Sequence, residues 1–181
     1  MRRTPKLSPQ RATTAVRYTG WVMYPGSFDP VTHGHIDLIR RALKVFPGVL
    51  VAVAKNPEKQ PLFQLAERVA MLTRATRTLR RVAVESFDAL TVDYAESRGI
   101  ATIIRGVRQM TDFEYEFQLA LTNRKLNPRL ETVYLMPSER YAYLSSRLIK
   151  AAAHLGADVT AFVPPFVAQA LKARLRTAAR G

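Results

Sequence analysis

Cysteine is missing altogether, which excludes disulfides, a thiolate nucleophile and any Cys-based zinc site. Histidine is scarce. His33, His35 and His154 are too few for an all-His metal centre, and no metal-ligating residues are assigned. No apolar run approaches the roughly 20 residues needed to cross a bilayer, and the first twenty residues lack the apolar stretch of a secretory signal. Neither G-x-x-x-x-G-K-[ST] nor G-x-G-x-x-G occurs, so the two familiar glycine-rich phosphate loops are absent. Acids are also few, with 14 Asp and Glu against 28 Lys and Arg for a formal charge of +14. The expectation is a soluble, cytoplasmic protein that does not engage a membrane and that handles anions.

The charge is not spread evenly. Residues 1–20 hold Arg2, Arg3, Lys6, Arg11 and Arg17 without an acid, and the chain after Asp158 holds Lys172, Arg174, Arg176 and Arg180 without one. With 181 residues and 48% hydrophobic content, one domain with a substantial core is expected. The boundaries read as a basic, disordered arm at 1–20, one domain at 21–176 and a short tail at 177–181. A nucleic-acid-binding module would also be basic, but no RNA- or DNA-binding signature accompanies the charge.

Between those ends, short apolar runs alternate with amphipathic segments, the pattern of a parallel sheet covered by helices. Strands are expected at Trp21–Tyr24, Val49–Ala54, Val82–Val84, Ala101–Ile104 and Thr132–Met136. Helices are expected after Pro30 (with Ile36, Ile39, Leu43 and Phe46 on one face), from Leu65, over Leu90–Ser97, Phe113–Leu126 and Ser145–His154, and from Pro164. The resulting fold is α/β, a Rossmann-like doubly wound parallel sheet of about five strands, with ligands at the carboxyl ends of the strands.

The first strand-to-helix turn runs Tyr24-Pro25-Gly26-Ser27-Phe28-Asp29-Pro30-Val31-Thr32-His33-Gly34-His35. A sharp Pro/Gly turn entering a helix points backbone N–H groups and the positive helix end into the strand-end crevice, which makes a phosphate site. Gly34 permits close approach to a ligand, and His35 falls at the helix start. Later in the chain, Ser145 and Ser146 fall at a helix start, where hydroxyls and free N–H groups suit phosphates or Ser145 simply caps the helix. On the helix begun by Phe113, Glu116 lies at the edge of an apolar stripe of Phe113, Phe117, Ala120 and Leu121. A carboxylate there either needs a donor partner or reaches solvent. Lys59 sits in a loop after the second strand's carboxyl end. Such a lysine is ordinarily a solvated charge, but here it can lean over the crevice.

The whole turn resembles the G-[ST]-F-D-P-x-[TH]-x-G-H signature of the nucleotidyltransferase superfamily. Leu144-Ser145-Ser146-Arg147-Leu148-Ile149-Lys150 resembles its I-S-S-x-x-[IV]-[KR] element, with Arg147 where many relatives carry a small hydroxyl residue. Ile104-Arg105-Gly106-Val107-Arg108 followed by Asp112-Phe113-Glu114-Tyr115-Glu116 is similar to the I-R-G-[LV]-R … D-[FY]-E-x-E block of the bacterial phosphopantetheine adenylyltransferases of coenzyme A synthesis.

The resemblance implies transfer of the adenylyl group of ATP to 4'-phosphopantetheine. It assigns catalysis to His35 and Lys59. ATP would be held by Ser27, Phe28 and His35, by Gly106, Val107 and Arg108, and by Glu116. The segment Tyr141, Ala142, Tyr143, Leu144, Ser145, Ser146 and Arg147 would complete the nucleotide site. Ser27, Lys59, Thr91 and Arg105 would hold the acceptor. It further implies Mg²⁺ on the ATP phosphates, a homohexamer and coenzyme A as a feedback inhibitor. A nicotinamide-nucleotide adenylyltransferase, which shares the first motif but not the Arg105–Glu116 block, is the alternative.

Overall fold

Val49–Ala54 alternates between two cores. Val49, Val51 and Val53 enter one apolar cluster and Leu50 and Ala52 the other, so a run without polar residues is what a strand covered on both faces requires. The computed structural model describes residues 16–55, 61–108 and 110–178. Five strands are present among the described residues: β1 (Val22–Gly26), β2 (Val49–Ala54), β3 (Val82–Phe87), β4 (Thr102–Gly106) and β5 (Glu131–Leu135). All pairings are parallel, in the order β3-β2-β1-β4-β5. The chain thus winds outward in both directions from β1, and the order reverses between β1 and β4, where such sheets open a crevice.

Among the described residues six α-helices cover the sheet: α1 (His33–Val45), α2 (Leu65–Thr76), α3 (Thr91–Ser97), α4 (Met110–Leu126), α5 (Ser146–His154) and α6 (Pro165–Ala178). One face is closed by Ile36 and Ile39 of α1, Leu72 of α2, Ile149 of α5 and Val167 and Leu171 of α6. The other is closed around Met23, Ile103 and Leu130 by Val92 and Ala95 of α3. Ends differ from the sequence expectation by a residue or a few. β3 runs on to Phe87 because it pairs with β2 along its length, from Val49↔Val82 to Ala54↔Phe87. The apolar segment between α5 and α6 forms turns rather than a strand.

The stripe on α4 faces outward: Phe117 is 47% and Leu121 48% exposed, and Phe113 stacks on Phe117 at 5.8 Å. Just before β1, Tyr18 is bonded to the domain. The Tyr18 hydroxyl donates to Glu85 at 2.7 Å, its N–H donates to the Arg98 carbonyl, and its ring packs 5.0 Å from that of Trp21. Burial and the Glu85 carboxylate push the Tyr18 phenol up to about 12. Among the described residues, no helix is long and apolar enough to cross a membrane.

Candidate active site

The turn between β1 and α1 is held by its own side chains. Thr32 caps α1, its Oγ1 accepting the His35 N–H at 3.4 Å, while His35 Nδ1 accepts the Thr32 N–H at 3.0 Å. This is a capping box with histidine in the place usually taken by Glu or Gln. It also fixes the tautomer. Nδ1 is used as an acceptor, so the ring hydrogen sits on Nε2, the nitrogen left for the crevice that His35 lines. Burial, then the Arg108 and Arg105 charges, push its pKa down to about 4. His35 is therefore a neutral hydrogen-bond donor at neutral pH. The Phe28 ring meets the imidazole edge-on at 5.0 Å and lies so close to Gly26 that a Cβ there would come within 3.0 Å of it. Phe28 adopts φ +49, a left-handed conformation that is costly for a bulky residue.

Opposite this turn, Arg105 at the end of β4 grips Glu116 of α4 with two bonds, Nε to Oε2 at 2.6 Å and Nη2 to Oε1 at 2.5 Å, and gives Nη1 to the Pro25 carbonyl at 2.8 Å. Three of its five N–H groups thus tie β4, α4 and the end of β1 together. The donor partner expected for Glu116 is Arg105. Arg108 donates to the Leu144 carbonyl at 2.6 Å, joining this wall to the start of α5.

The third wall is the segment leading into α5. Asp37 of α1 accepts from the Ser138 N–H at 2.8 Å and from its hydroxyl at 2.7 Å. Those two bonds anchor the short 3-10 turn Glu139–Tyr141. Tyr141 stacks on His33 at 6.0 Å, and the Arg140 guanidinium lies over the Tyr141 ring, 4.4 Å from its centroid. Ser146 Oγ donates to the Pro30 carbonyl at 2.9 Å. Ser145 occupies the N-cap position of α5 but makes no side-chain cap bond, and it lines the crevice. Lys150 donates to Asp29 at 2.5 Å.

These walls enclose a crevice of about 640 Å³ at the carboxyl ends of β1 and β4. It brings together Ser27, Phe28 and His35 from the turn, Arg105, Gly106 and Arg108 from the β4 end, and Glu116 from α4. Tyr141, Leu144, Ser145, Ser146 and Arg147 complete it. Ala142, Tyr143 and Val107 do not line it. Val107 is buried, and Tyr143 is exposed with its ring against Phe162. Thr91, which opens α3 beyond the edge strand β3, does not line it either. Lys59 lies outside the described residues.

Sequence reasoning missed Tyr24, Asp29 and Lys150, which also line the crevice. Asp29 and Lys150 stand inside the two motifs quoted above, which was the available signal. The protein alone leaves ordinary van der Waals room for a Cβ at Gly34, so the missing side chain widens the crevice rather than relieving an internal clash. The crevice carboxylates are both engaged, Asp29 by Lys150 and the N–H groups of Leu62 and Phe63, Glu116 by Arg105.

A neutral donor, several cations and a helix N-terminus around one strand-end crevice suit a polyphosphate. The comparisons agree. Residues 23–152 match the cytidylyltransferase-like family. The chain is 49% identical to a phosphopantetheine adenylyltransferase of Caldanaerobacter subterraneus subsp. tengcongensis over 85% of this chain and 96% of that one. It is also 49% identical to one of Alkaliphilus metalliredigens, over 82% and 95%. Among solved structures, the Plasmodium falciparum nicotinic acid mononucleotide adenylyltransferase shares the fold, with a TM-score of 0.63 at 12% identity over 84% of this chain and 94% of that one. The turn, the β4 wall and the α5 segment all fall within the matched span, and the chain belongs to the phosphopantetheine adenylyltransferases of the cytidylyltransferase-like family.

Proposed function

We propose that the crevice transfers the adenylyl group of ATP to 4'-phosphopantetheine, giving dephospho-coenzyme A and pyrophosphate. The observation that carries this reading is His35, held as a neutral Nε2–H donor in the wall of a cationic crevice. The acceptor phosphate attacks the α-phosphorus of ATP and pyrophosphate leaves, so no protein nucleophile is required. Catalysis is then positioning and charge stabilisation.

His35 donates to an α-phosphate oxygen as charge grows there. Arg108 and the start of α5, with Ser145, Ser146 and Arg147, take the leaving pyrophosphate, and Ser27 and Phe28 complete the phosphate turn. Arg105 serves chiefly by holding Glu116 and Pro25, with only its remaining N–H groups for an acceptor phosphate. Lys59 and Thr91 are assigned to the acceptor on family resemblance alone. Mg²⁺ would enter on the triphosphate and keep several of its waters, because both crevice carboxylates are engaged by protein donors. An acceptor panel with pyrophosphate release as readout tests the reading: 4'-phosphopantetheine should turn over and nicotinamide mononucleotide should not.

The same reading extends to assembly and control. Phe113, Phe117 and Leu121 follow one another at four-residue spacing along one side of α4 and are all exposed, an apolar stripe of the kind that marks an interaction surface, and it fits self-association into a homohexamer. Coenzyme A, which carries the product's own groups, would compete for the same crevice as a feedback inhibitor in the cytoplasm.

A further inference from the structure

Arg68 of α2 is 2% exposed and is among the largest fully buried side chains. A guanidinium in a core is expensive, and an apolar side chain of similar volume would ordinarily serve stability as well or better. Its bonds run to main-chain carbonyls: Nε to Phe63 at 3.1 Å, and Nη1 to Ser27 at 2.6 Å and Ala54 at 2.9 Å. These carbonyls belong to the phosphate turn, the carboxyl end of β2 and the entry to α2. Burial lowers the Arg68 pKa while the nearby Asp29 carboxylate opposes the shift. Asp29 completes the arrangement from the other side, accepting the N–H groups of Leu62 and Phe63 at 2.9 Å each. The Phe63 residue is therefore held at its N–H by an anion and at its C=O by a cation.

The bond to Ser27 has a directional consequence. The Ser27–Phe28 peptide is trans, and in a planar trans peptide the N–H points opposite to the C=O. Arg68 pulls the Ser27 carbonyl into the core, so the Phe28 N–H faces the other way, toward the crevice that Ser27 and Phe28 line. The following residue is the strained one, Phe28 at φ +49, a conformation that persists only where the surroundings over-determine it. We infer that Arg68 is a positioning residue of the transfer reaction: its guanidinium locks the Ser27–Phe28 peptide so that the Phe28 N–H is presented to a phosphate oxygen of the nucleotide. This rests on the nucleotidyl-transfer reading, but the orientation of the peptide does not depend on which acceptor is used.

The test compares the full-length chain with its R68M and R68K variants well below their melting temperatures. Pyrophosphate release with ATP and 4'-phosphopantetheine gives kcat and both KM values, and calorimetry gives the Kd for ATP without turnover. R68M should raise the KM and Kd for ATP about tenfold to a hundredfold, the loss expected when one hydrogen bond to a charged phosphate is misdirected. The KM for 4'-phosphopantetheine should stay within about twofold. R68K, which keeps the charge without the fork, should fall between R68M and wild type, and it carries the test if R68M does not fold. A residue that merely fills space would lower the active fraction, and thus apparent kcat, while leaving both KM values and the ATP Kd alone; that result would overturn the inference. So would a wild-type chain that binds no ATP. If the wild type binds ATP but does not use 4'-phosphopantetheine, the acceptor reading fails, and weakened ATP binding in R68M still supports Arg68.

Discussion

On the β1–β2 side of the crevice the strands are fully covered, and their turn is stitched to the core by Thr32, Asp29 and Arg68. On the β4–β5 side, β5 is nowhere fully buried and α4 turns its aromatic residues outward. The first wall is finished within one chain. At the crevice the second is tied to it by the Arg105 bond to Pro25, while Arg108 ties it to Leu144 at the start of α5. A donor that must meet developing charge at fixed distance belongs on the finished wall, where nothing has to reorganise during the reaction. The unfinished wall has surface to spare for a partner.

The largest test of that contrast is His35→Ala. It removes the donor from the finished wall and should lower kcat by about 10²-fold or more, while losing the cap costs stability only about 1 kcal/mol. A variant with near-normal kcat would remove His35 from the chemistry. The same residue gives a pH signature. Its folded pKa, about 4, lies below the ordinary 6.5, so the unfolded chain takes up a proton first as pH falls. The His35 contribution to stability is therefore constant above about pH 7 and declines between about 6.5 and 4, by at most about 1.4 kcal/mol per pH unit. Thermal melts of wild type and His35→Ala should draw together as pH falls into that window and then cross, with His35→Ala the more stable toward its acidic end.

Arg105→Lys attacks the bridge between the walls. A lysine cannot reproduce the two-pronged grip on Glu116 together with the bond to Pro25, so kcat/KM should drop about tenfold to a hundredfold for both substrates. A mutant whose defect is confined to the acceptor would show that the fork serves the acceptor phosphate directly. Glu116→Gln combined with it should be strongly non-additive. Next in size, Phe117→Asp charges the unfinished wall and should shift the proposed homohexamer to smaller species by light scattering. An unchanged mass would separate that face from assembly. The smallest effect is expected at the arm. Deleting residues 1–15 should leave the melting temperature alone. Deleting 1–19 removes the Tyr18 contacts to Glu85 and Arg98 and should lower it by about 2–4 °C with kinetics unchanged.

The finished wall was the legible one. Val49–Ala54 announces a doubly covered strand by composition, and the turn from Gly26 to His35 carries its chemistry in consecutive residues. Legibility ends where a residue's role depends on distant chain. Arg68 reads as a solvated helix charge until the Ser27 carbonyl, 41 residues away, is seen against it. Lys150 and Asp29 lie 121 residues apart, and Arg105 reads as an open fork because nothing local reveals Pro25 beside it. The α4 stripe has helical periodicity whether it meets its own sheet or another chain, so periodicity could not tell those cases apart. Tyr18 sits in a segment whose composition is that of an arm, and a single docked ring does not alter composition.

The meeting of β1 and β4 carries a mechanical consequence. Their main-chain register is set at Met23↔Ile103, whereas β1 and β2 are zipped from Val22↔Val49 to Gly26↔Val53. The sheet therefore has a seam, and beyond Ile103 it is closed by a guanidinium rather than by a ladder. Side-chain bonds can slip and re-form without unravelling a strand, so the seam is where the molecule can breathe while both flanking halves stay folded. In hydrogen exchange, the amides on either side of it would open before those of β2, and an occupant of the crevice would quiet them first.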